Sequence, residues 1–331
     1  MRILALYLFL IFNIFTQAQN SIQERAILFY NTENLFDTKN DSLTNDDDFT
    51  PNGNYHWTNR RYHKKLTNLA KVFYDCNNWN TPFLIGLCEV ENDVVLNNLL
   101  WSGSLFQRGY RAIHFEGPDS RGIDVALLYN SRQFTPIKSK AIREPSGKLI
   151  TRDILYVQGI VDSIDTLNVF VCHFPSRRGG AVESEDKRIK MAKLLYNSID
   201  SIIQTNSDAQ IIAMGDFNDT PTDRAIEEII LKPLSNNESL ICLGKKLAQE
   251  GKGSHKYLEE WSLIDQMFIS PNFGNSIQSY SFQIVELPYL LCNDETNLGQ
   301  KPLRTYLGPR YIGGYSDHLP IILRYNIKKA P

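Results

Sequence analysis

Short runs of apolar, β-branched or aromatic residues recur along the chain at Ala26 to Tyr30, Phe83 to Cys88, Ile123 to Tyr129, Leu155 to Val161, Leu167 to Cys172, Gln210 to Gly215, Leu263 to Ile269 and Leu319 to Tyr325. Their length and residue types predict strands. Between them, Leu66, Leu69, Ala70 and Phe73 repeat at helical spacing, as do Ile189, Ala192, Tyr196, Ile199 and Ile203. A third helix is expected after Thr222, which stands in a capping position, with Ile226, Ile229 and Ile230 on its buried face. Strands interleaved with amphipathic helices and loops predict an α/β sandwich. Asp37 to Gly53 reads as a polar loop whose spacing does not match a calcium-binding helix-loop-helix, so Asp46, Asp47 and Asp48 are expected to be solvated. Leu231 to Gly253 and Glu286 to Gly314 read as long loops, the kind of segment that sets specificity on a rigid scaffold. No repeat or linker demands a second domain.

The amino terminus changes this picture. Arg2, the apolar run Ile3 to Phe15 and the following Thr-Gln-Ala have the three regions of a secretory signal peptide over residues 1–18, leaving a single domain over 19–331. The apolar run is shorter than the roughly 20 residues that span a bilayer and contains Asn13, so cleavage is expected rather than anchoring. The expected destination is across the inner membrane, in the periplasm or outside the cell. No other stretch is long enough to span.

The 331 residues include 35 Lys and Arg against 37 Asp and Glu, a net charge of −2. This is not the charge of a protein that holds nucleic acid by electrostatics alone. The basic cluster Arg60, Arg61, His63, Lys64 and Lys65 is expected to be a solvated face. Cys76, Cys88, Cys172, Cys242 and Cys292 are scattered without ligand spacing, which suits buried thiols or an occasional disulfide, and no catalytic role falls to them. A monomer is expected.

The chemical signal is positional. A polar or ionisable residue follows directly on the apolar run at Asn31, Glu89, His173 and Asp216, and strand ends of an α/β sheet are where ligands bind. Asp265 and the pair Asp317-His318 join them. Carboxylates and an amide carbonyl are hard oxygen donors that suit magnesium, manganese or calcium rather than zinc. A phosphodiester needs charge neutralised on its nonbridging oxygens and a water activated in line with the leaving oxygen. Metal, Asn and protonated His supply the first; Asp or neutral His supplies the second. Each residue alone could equally be a loop carboxylate, a turn former or a cap. Independent turns and caps have no reason to supply this whole set in this order.

The ordered motifs Asn31-Thr-Glu-Asn, Gly86-Leu-Cys-Glu89, His173, Gly215-Asp-Phe-Asn218, Ile264-Asp265 and Ser316-Asp-His318 resemble the endonuclease/exonuclease/phosphatase superfamily, the fold of pancreatic deoxyribonuclease. That resemblance implies a four-layer α/β/β/α sandwich of two packed, mainly antiparallel mixed sheets flanked by helices. It implies a divalent cation, Mg2+ ahead of Mn2+ or Ca2+, held by Glu89 with Asn31 and Asp317. It makes His318, oriented by Asp265, the histidine that contacts the scissile phosphate, and Asp216 with Asn218 the pair that places water and phosphate. His173 matches the second histidine, a phosphate binder or the acid for the leaving group, and Glu116 is the candidate acid to orient it. Arg177 and Arg178 follow His173 and suit bidentate phosphate recognition.

The expected function is a secreted metal-dependent phosphoesterase with a phosphoester substrate. Nucleic acid leads; a small-molecule or lipid-headgroup phosphodiesterase or phosphatase, or an inactive binding protein on the same scaffold, are the alternatives. A serine hydrolase built on Ser316, Asp317 and His318 fails, because adjacent strand residues point to opposite faces and no Gly-x-Ser-x-Gly elbow occurs.

Overall fold

A computed structural model describes residues 22–161, 165–177, 180–273 and 277–328. The signal-like segment and Arg178 lie outside the described residues. In chain order the elements are β1 (Ile22–Leu35), α1 (Asn59–Asp75), β2 (Leu84–Val90), α2 (Asp93–Ser102), β3 (Tyr110–His114), β4 (Asp124–Asn130), β5 (Phe134–Ile142), β6 (Ile154–Val161), β7 (Asp165–His173), α3 (Ala181–Thr205) and β8 (Gln210–Asp216). They continue with β9 (Ile241–Cys242), α4 (Lys245–Gln249), β10 (His255–Tyr257), β11 (Glu260–Ser262), β12 (Asp265–Ile269), β13 (Ile277–Ile284), β14 (Leu291–Asn293), β15 (Gln300–Pro302), β16 (Tyr306–Leu307), β17 (Arg310–Tyr311) and β18 (Ile321–Lys328).

Two six-stranded sheets form, in the orders β13-β18-β1-β2-β4-β3 and β5-β6-β7-β8-β12-β9. Within each, one pair is parallel, β1 with β2 and β7 with β8, and the other pairings are antiparallel. Central strands read as continuous apolar runs because both faces are covered. Along β1, Ile27 and Phe29 enter the core between the sheets while Leu28 and Tyr30 enter the core beneath α1 and α2. Along β8, Ile212 and Met214 face the other sheet while Ile211 and Ala213 face α3. Helices on both outer faces and two sheets between them give the four layers that the motifs implied.

Several sequence expectations are corrected. The segment after Thr222 is a single π-helical turn, Ala225–Ile230, closed by the Leu231 N–H on the Ile226 carbonyl. Thr222 does not cap it; the Asp223 carboxylate instead accepts from the Thr220 N–H and hydroxyl. Ile226 and Ile230 are buried and Ile229 is only half-buried. The two long loops carry short elements, β9 with α4 in the first and the hairpins β14-β15 and β16-β17 in the second. Asp46 is buried, accepting the Asp41 N–H, while Asp47 and Asp48 are exposed as expected. All five cysteines are free, and Cys76, Cys88 and Cys172 are buried.

Gly215 on β8 stands directly opposite Cys172 on the parallel strand β7. A Cβ there would stand 2.3 Å from the Cys172 carbonyl oxygen. Backbone cannot move aside cheaply, so Gly215→Ala should cost about 1–3 kcal/mol or more. Urea unfolding of the variant is expected to show a lowered midpoint with an unchanged slope.

Candidate active site

Strand register assembles the site. His173, Asp216 and Asp265 stand in one row across β7, β8 and β12, each the direct partner of its neighbour. In the facing sheet Asn31 pairs with Cys88, and Glu89 follows on a bulge where the register of β2 shifts against both β1 and β4. Glu89 has φ 61°, and Asn218 after β8 has φ 52°. Left-handed backbone costs a non-glycine residue free energy, and such strain concentrates at functional sites.

Asp216 is the hub. Its Oδ2 accepts from Asn31 Nδ2 at 3.0 Å and lies 3.7 Å from His173 Nε2 and 3.8 Å from His318 Nε2. Its Oδ1 accepts the Asn218 N–H at 2.9 Å. Asn31 Nδ2 also faces Glu89 Oε1 at 3.5 Å, and Glu89 Oε2 accepts the Asn34 N–H at 2.8 Å. His173 Nε2 stands 3.9 Å from Glu89 Oε1. Glu89, Asp216 and His173 therefore converge with Asn31. Burial raises Asp216 to about 7; His318 opposes this, while Asp265 and Glu89 add to it.

The two histidines are in opposite states. Burial lowers His173 well below the usual histidine range, helped by the charges of Arg152, Arg121 and His318, so its imidazole is neutral. Burial alone would do the same to His318, but Asp265 and Asp216 outweigh it and raise His318 well above that range. The decisive contact is His318 Nδ1 to Asp265 Oδ2 at 2.6 Å. Ser254 Oγ donates to the same carboxylate oxygen and receives the Asp265 N–H. A carboxylate on one ring nitrogen fixes the orientation of the ring and keeps it charged.

Asp317 belongs to a neighbouring network rather than to the Glu89 cluster. Arg304 Nη2 donates to it at 2.9 Å while Arg304 Nε reaches Glu33 Oε1 at 3.2 Å, and Lys65 Nζ stands 3.7 Å from Glu33 Oε2. Burial raises Asp317, but His318 and Arg304 outweigh it and lower its pKa. Lys65 is fully buried and donates to Thr305 Oγ1 and the Tyr315 carbonyl, which corrects its reading as part of a solvated face. The signal was available: Lys65 shares the apolar stripe of Tyr62, Leu66, Leu69 and Phe73 on α1.

Other placements differ in detail. Arg177 donates to the Asn218 carbonyl and to Asp219 and Asp223, so it braces the loop after β8. The Asn218 amide donates to the Phe174 carbonyl, which Arg152 Nη2 also clamps at 2.6 Å. Arg152, paired with Asp119, had no sequence signal, since it lies outside every strand-end motif. Glu116 does not orient His173; it lies with His114, and His173 Nδ1 is buried without a hydrogen-bond partner. Ser316 Oγ donates to the Asn31 carbonyl and accepts the His318 N–H, a structural brace rather than a nucleophile.

Two packed sheets presenting His, Asp, Glu and Asn at one rim define a phosphoesterase fold. The sequence profile of the Endonuclease/Exonuclease/phosphatase family matches residues 26–327, and the chain belongs to that family. No curated protein matches it by sequence. Among solved structures it is similar in fold to zebrafish (D. rerio) TDP2 complexed with a single-strand DNA product, at 15% identity and TM-score 0.54 over 92% of this chain and 99% of that one. It is likewise similar to a mannosyl-6-phosphatase from Bacteroides thetaiotaomicron, at 14% identity and TM-score 0.56 over 90% and 98%. A family protein from the same organism matches at 14% and TM-score 0.57 over 93% and 100%.

His255 packs against His318 with ring centroids 4.8 Å apart and the rings tilted by 44°. Burial and the charge of His318 push it down to about 4. Its folded pKa lies below the unfolded value near 6.5, so the stability it contributes is full above pH 6.5 and is lost as pH falls towards 4. The unfolding free energy should decline across that window by up to about 1.4 kcal/mol per pH unit from this group. His255→Asn is expected to flatten the decline in denaturant titrations at stepped pH.

Proposed function

We propose that the protein is a metal-dependent phosphoesterase that hydrolyses phosphodiester bonds, with nucleic acid ahead of smaller substrates. One observation carries the reading: a charged His318, held by Asp265, shares the Asp216 carboxylate with a neutral His173. Family enzymes use divalent cations, and Glu89 would hold one here; Asn31 would join it only on turning its amide, because Nδ2 faces Glu89 and Asp216 while Oδ1 accepts the Glu33 N–H, and Asp317 would have to leave Arg304. The donors fit, because Glu89 and Asp216 bring hard carboxylate oxygens together around the Asn31 amide; Mg2+ suits them best, with Mn2+ or Ca2+ as alternatives. When bound, the cation supplies Lewis-acid neutralisation of a nonbridging phosphate oxygen.

The chain's own groups do the rest. Protonated His318 donates from Nε2 to a phosphate oxygen and stabilises the charge that builds on it in the transition state. Asp216 accepts a proton from the attacking water, a role that a carboxylate held near 7 suits at neutral pH. Asn218, fixed by the Phe174 carbonyl and by its own N–H on Asp216, keeps that carboxylate turned towards the water. Neutral His173 serves as a phosphate hydrogen-bond donor through Nε2 rather than as the acid for the leaving group. Arg177 holds the loop that carries Asn218 through the Asn218 carbonyl, Asp219 and Asp223.

A monoesterase acting on a small phosphorylated molecule is the second reading, favoured by a fold likeness to the mannosyl-6-phosphatase equal to that with TDP2. Purified protein with Mg2+, Mn2+ or Ca2+ should cleave a generic phosphodiester reporter, and chelator or Glu89→Ala should abolish cleavage. Asp265→Asn should lower kcat by roughly 10²–10⁴-fold, the range for a lost acid-base or charge-stabilising group. Absence of turnover with every metal, on DNA, RNA, nucleotides, sugar and inositol phosphates and choline phospholipids, would sink the enzyme reading.

We also propose that the chain is exported, on the signal-like pattern of residues 1–18. The exported protein should begin near Gln19 on amino-terminal sequencing; retention of Met1 would refute cleavage.

A further inference from the structure

We propose that His114, Asp124 and Glu116 form a second divalent-cation site, one strand away from Glu89, that takes zinc. The three residues offer ligand atoms that all lie within 4.8 Å of one another. Asp124 opens β4 directly opposite Val90, so its position is set by the same bulge that turns Glu89. His114 ends β3, the neighbouring edge strand.

The histidine carries the inference. Its side chain is 1% exposed, and its Nε2 is buried without a hydrogen-bond partner. That nitrogen faces Asp124 Oδ2 across 3.6 Å, an ion-pair distance when the ring is protonated, and zinc would take the place of that proton. Two ligand atoms each about 2.0–2.2 Å from a tetrahedral zinc stand about that far apart. The other ring nitrogen is already committed: Nδ1 lies 3.2 Å from Asp93 Oδ1. A carboxylate on the far nitrogen of a ligating histidine fixes its tautomer and raises its basicity.

Asp124 is equally preset. Its Oδ2 accepts the Gly117 N–H at 3.0 Å, and a Cβ on Gly117 would stand 2.3 Å from its Oδ1. Only glycine lets the chain pass so close to that carboxylate. Asp93 and Glu116 are 75% and 67% exposed, which leaves the cluster open to solvent on one side and gives a cation an entry path. One imidazole and two carboxylates are a borderline donor set that selects zinc over magnesium, in contrast to the oxygen set around Glu89.

The inference does not rest on hydrolysis, and its readout is metal content. The full chain is dialysed against micromolar Zn2+ and the bound zinc counted. His114→Gln should hold one zinc fewer per chain than the parent, while Glu89→Gln, which disables the other cluster, should keep it. Asp93→Asn should weaken that zinc by roughly 10–100-fold, as loss of the group behind a ligating histidine does. Glu116→Gln, an exposed change that leaves folding untouched, should also weaken it. Equal zinc in the parent, His114→Gln and Glu116→Gln, or no zinc in the parent, would overturn the site.

Discussion

Asp216 is a carboxylate removed from water with an imidazole on either side, and the rim is organised around keeping it there. Burying such a charge costs several kcal/mol unless neighbours compensate, and the compensation here comes from two asparagine side chains or N–H groups, a charged His318 and a neutral His173. The two histidines can differ because only one has an acid on its far nitrogen. Asp265 holds His318 charged, whereas His173 has no such partner and lies within the fields of Arg152 and Arg121. Electrical asymmetry between two otherwise similar groups is what lets one site both stabilise an anion and accept a proton.

A second set of buried charges holds the far wall. Lys65, Glu33, Arg304 and Asp317 tie α1, the end of β1 and the loop before β18 into one network, with Thr305 and Tyr315 supplying backbone and hydroxyl partners. Removing one member would leave a buried charge unpaired, which is costlier than losing the whole network. The loop at Leu303 to Tyr315 is therefore pinned from beneath, so the rim keeps its shape although it is made of short hairpins and turns. Arg152 and Asn218 do the same for the Phe174 carbonyl on the opposite side.

Strand runs were legible because both faces of each central strand are covered, which makes them continuous and apolar. Strands β3, β5 and β13 were not, since edge position lets polar residues intrude, as in Lys138, Ser139 and Lys140. The π-helical turn was read as an ordinary helix because periodicity cannot distinguish one turn from several. Lys65 was misread because charge outweighed its place on the apolar stripe. The left-handed backbone of Glu89 left no trace in residue type, since glycine, which would have marked it, is absent there.

Apolar runs and the polar residues that end them are local properties, so the α/β sandwich and the row of Asn31, Glu89, His173, Asp216, Asp265 and His318 were readable along the chain, while the four layers and the family followed from the resemblance of the ordered motifs. Tertiary structure alone decided how those groups are charged and joined. The Asp265–His318 pair was expected from the motifs, but that Asp317 turns to Arg304, that Glu116 goes with His114, and that Lys65 is buried all depend on register and burial between segments far apart in the chain. Distances and desolvation exist only once both sheets are packed.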